Sequence, residues 1–126
     1  MPRPIKTEFP DDAMLVKVAE QFRALAEPAR LKILARLLEA DATVGELADA
    51  FGWSQANASK HVTVLAAVGF VRRTRQGATV VCSVADAVVK RLCDLMCSRV
   101  ADRATAEAAQ LLHRNGNVRR RARSAR

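Results

Sequence analysis

The chain has no tyrosine, and only five of its 126 residues are aromatic: Phe9, Phe22, Phe51, Trp53 and Phe70. A base-stacking platform for single-stranded nucleic acid needs several exposed rings, so that class of binding is excluded. No apolar run approaches the roughly 18 residues of a membrane span, and Met1-Pro2-Arg3-Pro4 lacks the apolar segment of a signal peptide. The expectation is a cytoplasmic protein without a membrane partner. Histidine is scarce, at two residues, and there is neither a phosphate-cradling glycine loop nor a nucleophile–base–orienter set, so an enzyme is not expected. The three cysteines, Cys82, Cys93 and Cys97, are too few and odd in number for a disulfide framework; free thiols, a metal site or a redox switch remain.

What the chain does have is an ordinary globular balance, 50% hydrophobic and 27% charged, in a length that suits one domain with its own core. The net charge is +8, but six of the 21 basic residues (Arg114, Arg119, Arg120, Arg121, Arg123 and Arg126) fall in the last fourteen positions, which hold no acid. The rest of the chain has 15 basic and 13 acidic residues, a net of +2. Residues 113–126 therefore read as a basic, disordered tail, of a kind that also strengthens nucleic-acid binding without sequence preference.

Residues 1–10, with three prolines, read as an irregular arm, and 11–112 as the folded domain. A first helix is predicted from Asp11 or Asp12 to Ala26, with Met14, Leu15, Val18, Phe22 and Leu25 at helical spacing. A second opens at Pro28, where a missing N–H is no loss, and carries Leu31, Leu34, Leu37 and Leu38 to an end near Asp41. Thr43 with Glu46 three residues on forms a capping box for a short helix, Val44 to Phe51, broken at Gly52. Ser54 caps the next, which runs to about Val68 and stops at Gly69. Two short helices joined by a glycine-containing turn are the pattern of a helix-turn-helix, with Leu47, Ala48, Ala58, Val62 and Leu65 facing inward. Strand-like runs on either side of Gln76-Gly77 then give a two-stranded hairpin, and Asp86 caps a last long helix reaching as far as Leu112. The fold class is mainly α with a small two-stranded wing, in the order α-α-α-α-β-β-α: a winged helix-turn-helix.

Two stretches carry a family resemblance. Phe22-Arg23-Ala24-Leu25-Ala26-Glu27-Pro28-Ala29-Arg30-Leu31-Lys32-Ile33-Leu34 resembles the opening helices of the ArsR family of small winged-helix repressors. Ser54-Gln55-Ala56-Asn57-Ala58-Ser59-Lys60-His61-Val62, followed by Leu65, Gly69 and Val71, is similar to that family's recognition helix and the start of its wing. The resemblance spans roughly residues 14–100. It implies a cytosolic homodimer that represses transcription and is released by a metal ion, a metalloid or a thiol-reactive signal, although some members respond to no metal.

The recognition helix offers Gln55, Asn57 and Ser59 for base edges, since Gln and Asn pair bidentately with adenine and the first turns of such a helix reach the bases. Lys60, His61 and Thr63 would contact phosphates or adjoining bases. His61 lies at the edge of the buried stripe, so local packing is its alternative role. Arg72, Arg73 and Arg75 flank the wing turn and suit backbone or minor-groove contact, or simply a charged edge strand.

Cys93 and Cys97 are four apart on the last helix and share a face with Val89, Met96 and Val100, a stripe fit for a dimer interface. Thiolates there would take a soft ion (arsenite, Cd or Zn) or react with an oxidant or sulfur species, with Cys82 a third sulfur if the fold or a partner subunit brings it close. No cofactor is otherwise required. The family's cysteine motif on the first helix of the helix-turn-helix is absent, as is its carboxylate/histidine zinc pattern on the last helix. The leading function is therefore a homodimeric repressor on an inverted-repeat DNA operator, released by a thiol-directed signal. The alternative is a non-sensing regulator, or a protein-interaction winged helix, in which the cysteines only pack.

Overall fold

The computed structural model describes residues 10–124. Its elements are α1 (Asp12–Leu25), α2 (Pro28–Glu39), β1 (Ala42–Thr43), α3 (Val44–Phe51), α4 (Gln55–Ala67), β2 (Val71–Gln76), β3 (Thr79–Val84) and α5 (Ala87–Ser124). The chain divides into two compact units between Val89 and Lys90.

The first unit is the winged helix-turn-helix. Its helices begin where local chemistry tells them to. Asp11 caps α1 by accepting from Met14 N at 2.9 Å, and Pro28 starts α2 at a position where no N–H is needed. The box at Thr43 is complete: Glu46 N donates to Thr43 Oγ1 at 3.1 Å while Thr43 N donates to Glu46 Oε1 at 3.3 Å. Gly52 closes α3 in the left-handed region (φ 68°), a conformation costing a side-chain-bearing residue roughly 1–2 kcal/mol. That glycine lets the chain reverse, so that Ser54 can cap α4 through Asn57 N at 3.1 Å.

The core lies between α2, α3, α4 and the inner face of the sheet. Ile33, Leu34, Leu47, Leu65, Val62, Val89 and Cys82 are fully buried. Of the predicted stripe on α2, Leu34 and Leu37 are buried and Leu31 and Leu38 are exposed; Ile33 takes the inward position. α1 contributes only Ala24 to the interior, leaving Met14, Leu15, Val18 and Phe22 exposed along one side.

The sheet has three strands rather than two, in the antiparallel order β1-β3-β2. β1 pairs Ala42 with Cys82 and Thr43 with Val81. A two-residue strand is too short to show alternation, and Thr43 is already committed in sequence terms to capping α3; here it does both. β2 and β3 pair from Val71↔Val84 to Gln76↔Thr79 about a turn with Gly77 at φ 63°.

The second unit is the body of α5. Val88 N donates to Asp86 Oδ1 at 2.9 Å, the cap expected for this helix. The helix then continues through Gly116 to Ser124, past the expected end at Leu112. The basic segment is thus helical through Ser124, contrary to the disordered tail expected for 113–126, and its last two residues lie outside the described residues, as does most of the 1–10 arm. A glycine in a helix interior costs about 1 kcal/mol against alanine, and Gly116 sits between Asn115 and Asn117, themselves weak helix formers. Among the described residues, no helix is long and apolar enough to cross a membrane.

Candidate nucleic-acid interface

α4 is held from behind. Ala58, Val62 and Leu65 are at most 1% exposed, fixing which side of the helix faces the core. Gln21 Nε2 on α1 donates to Val68 O at 2.9 Å at the far end of α4. Arg30 on α2 donates from Nε to Ala24 O at 2.6 Å and from Nη2 to Arg23 O at 3.2 Å, while its Nη1 lies 3.4 Å from His61 Nδ1. One guanidinium therefore ties the end of α1 to the middle of α4. Neither Gln21 nor Arg30 carried a distinctive signal in the sequence beyond Arg30's place in the Glu27-Pro28-Ala29-Arg30 stretch.

With that side fixed, Gln55, Ser59 and Thr63 form a row, each one turn from the next, facing the wing. Gln55, Ala56 and Ser59 line a groove of about 600 Å³ with Thr43–Gly45 from the start of α3 and Ala78–Val80 from the wing. Ser59 also borders a second hollow of about 320 Å³ with Val44, Val62, Val80, Arg73 and Arg75. Arg73 Nη1 donates to Thr63 Oγ1 at 3.5 Å, joining wing and helix. Thr43, Val44 and Gly45 were not anticipated as part of this surface; as cap and first turn of α3 they read only as structural.

The wing arginines do not act together. Strand alternation puts Arg73 and Arg75 on the face toward α4 and Arg72 on the other, where its Nη2 donates to Ala85 O at 3.4 Å. Lys60 is exposed outside the groove, and Asn57, half-buried, also lies outside it, on the flank of α4 turned away from Gln55 and Ser59.

His61 departs from its expected place among the contacts. It is 8% exposed, its ring tilted 55° to that of Trp53 with centroids 5.9 Å apart, and Trp53 in turn lies 4.7 Å from Phe51. Arginine is a donor only, so a neutral ring receives the Arg30 hydrogen bond at Nδ1. Burial foremost, then the charges of Arg30 and Lys60, hold His61 below its ordinary 6.5, against an opposing pull from Glu27. A base whose pKa falls on folding destabilises the fold as pH drops below its unfolded value, because the unfolded chain then binds more protons. Thermal stability of the parent should therefore decline as pH falls from 6.5 toward the lowered value, more steeply than in His61→Gln. Parallel Tm–pH curves for the two would show that His61 does not titrate differently on folding.

Of the thiols, Cys82 is 0% exposed on the inner face of β3, and burial raises its pKa, with Arg73 opposing. It serves as a core residue there, not as an accessible third sulfur. Cys93 is half-buried and Cys97 exposed, one turn apart on α5. Burial foremost, then Cys97 and Asp94, push the Cys93 thiol up. Among the described residues, no group of three or more His, Cys, Asp or Glu side chains is arranged to hold a metal ion. Val89 also departs from expectation: at 1% exposure it packs inside its own unit, whereas Met96 and Val100 are 55% and 63% exposed.

A capped recognition helix buttressed by α1 and α2, with an arginine-bearing hairpin forming a groove beside it, defines a winged helix-turn-helix DNA-binding domain. Comparison with known proteins agrees. A family model described as a helix-turn-helix domain matches residues 25–74. The HTH-type transcriptional regulator NmtR of Mycobacterium tuberculosis is 37% identical over 84 residues, which cover 67% of this chain and 70% of NmtR. A probable mercury resistance operon repressor of Streptomyces lividans is 39% identical over 88 residues, 70% of each chain. Among solved structures, the homodimeric winged helix-turn-helix domain of a possible ArsR-family transcriptional regulator from Mycobacterium bovis aligns with a TM-score of 0.66 at 33% identity, over 75% of this chain and 89% of that one. The chain belongs to the ArsR family of winged helix-turn-helix transcriptional regulators.

Proposed function

We propose that the protein is a homodimeric, sequence-specific repressor that reads its operator with the first turns of α4 and is released by a soft ion at Cys93 and Cys97. The observation that carries the DNA reading is the groove in which Gln55 and Ser59 stand opposite the wing. A duplex against this surface would meet Gln55 and Ser59 first, with Asn57 reached only on the other flank of the helix. Lys60, Thr63, Arg73 and Arg75 are placed for phosphates, which position a protein without specifying sequence. Arg72, on the opposite face and tied to Ala85, contributes less.

Dimerisation is supported by two exposed apolar faces, Met14, Leu15, Val18 and Phe22 on α1 and Met96 and Val100 on α5, and by the homodimeric relative. A twofold dimer would bind an inverted repeat with half-sites about 34–36 Å apart.

The sensing reading rests on the Cys93–Cys97 pair. Two sulfurs are half of a tetrahedral zinc site, so within one chain the pair fits an ion satisfied by two thiolates, such as mercuric ion or arsenite, better than zinc. The relative named for mercury resistance supports the same chemistry. The ligating species is the thiolate, so an ion must displace the thiol protons on binding, and the burial that pushes the Cys93 thiol up adds to that cost. Metal binding should accordingly release protons and tighten as pH rises.

The expected coupling is modest: 1–3 kcal/mol lowers DNA affinity about 5- to 150-fold. Cys93→Ser, Cys97→Ser and the double variant should abolish release by Hg(II), arsenite or Cd(II) in a DNA-release assay, while leaving ion-free DNA affinity intact. Release of the double variant by every ion that releases the parent would make the thiols packing residues and leave a regulator that senses nothing at this pair.

A further inference from the structure

The C-terminal part of α5 carries charge that nothing in its own unit balances. Earlier in the helix, two of the four basic residues are paired one turn away with acids: Lys90 with Asp94 at 2.6 Å and Arg103 with Glu107 at 3.1 Å. Glu107 is the last acid of the sequence. From there to Ser124 the helix bears Arg114, Arg119, Arg120, Arg121 and Arg123, every one exposed and, among the described residues, none in a hydrogen bond or ion pair through its guanidinium.

At 100° per residue these arginines do not share a face. Arg114 and Arg121 stand on one side, Arg119 and Arg123 on another, and Arg120 on a third. From Arg114 to Arg123 they occupy about 14 Å of helix. A helix polar on all sides bridges domains through solvent, is held by many i,i+4 pairs, or is not stable on its own. Here the i,i+4 pair is Arg119 and Arg123, like charges that repel. A polyanion is the partner that fits, and duplex DNA presents a charge about every 1.7 Å of its axis.

The other polyanionic surfaces fit less well. An interfacial membrane helix needs a broad apolar face, and between residues 113 and 124 the only large apolar side chain is Val118. Single-stranded nucleic acid is held by stacking on aromatic rings, and this segment has none besides His113.

We propose that the arginine-rich end of α5 is a second, sequence-independent DNA-binding site, which grips duplex phosphates while α4 reads bases. The proposal rests on the DNA-binding reading above and adds to it a separate source of affinity. Neutralising four phosphates contributes about 3.6 to the slope of log affinity against log salt concentration. Such a site raises the affinity for any duplex and favours capture near the operator without changing which sequence is preferred.

The test uses the full chain and three variants: Arg119, Arg120, Arg121 and Arg123 all to Gln; the same four all to Lys; and Arg119→Gln with Arg120→Gln alone. Each is titrated with a random-sequence DNA duplex of about 40 bp between roughly 50 and 200 mM KCl. Across that range the parent should lose about 150-fold more affinity than the four-Gln variant, with the four-Lys variant close to the parent and the two-Gln variant about halfway in slope. Circular dichroism verifies that each variant keeps its helix content. If helix content falls in the four-Gln variant, the two-Gln and four-Lys chains decide the matter on the same criterion. Equal slopes for parent and Gln variants would overturn the proposal while leaving the α4 reading in place. No binding of the parent to any duplex, even at the lowest salt, would instead overturn the DNA reading itself. A Gln effect confined to an RNA duplex or to phosphatidylserine vesicles would assign the arginines to that partner and reject DNA.

Discussion

Met96→Asp combined with Val100→Asp is expected to convert the protein to a monomer and to lower its operator affinity by about 10²–10⁴, the gain that linking two half-site contacts provides. Both side chains are more than half exposed in the single chain, so their replacement removes nothing from the interior of either unit. In a dimer the same side chains would be covered, and two aspartates per subunit would then be buried without partners, a cost that favours dissociation. Sedimentation at micromolar concentration would show the change in mass, and circular dichroism an unchanged fold. A double variant that remains dimeric would place the interface elsewhere, with the exposed row on α1 the next surface to test.

Leu65→Ala is expected to have a different signature. Leu65 is fully buried where α4 packs on the core, and removing such a side chain costs about 2–5 kcal/mol. Chemical denaturation should show a lower midpoint, and DNA binding should weaken with it, because the loss loosens the helix that carries Gln55 and Ser59. Val89→Asp belongs with this class rather than with the dimer: its side chain is sealed in the first unit, so an aspartate there should unfold the domain. A midpoint for Leu65→Ala within experimental error of the parent would mean that α4 is not anchored as described.

The helix-turn-helix was legible because its determinants are local. Thr43 with Glu46, the left-handed Gly52 and the Ser54 cap each act within four residues, so their positions in the chain and in the fold coincide. Where distant elements decide, the sequence was a poorer guide. Helical arithmetic put His61 at the margin of the buried stripe; Arg30 from α2 and Trp53 from the turn move it inside. Val89 and Met96 share a helical face, but only Val89 lies where the first unit can enclose it. The hairpin was clear from residue type, yet its consequence was not. Strand parity sends Arg73 and Arg75 toward α4 and Arg72 away, and that follows only once the sheet's inner face is known. β1 was invisible for a simpler reason, since two residues show no period.

The central claim, that the row on α4 beside the wing reads a DNA sequence, is tested most directly by selecting duplexes from a randomised pool with the purified protein and sequencing what is retained. The parent should enrich an inverted repeat with half-sites one helical turn apart. Gln55→Ala should keep the repeat but relax preference at one base pair of each half-site, with a loss of roughly 1–3 kcal/mol there. An enriched motif unchanged by Gln55→Ala, Asn57→Ala and Ser59→Ala together, or no enriched motif for the parent at all, would contradict the claim.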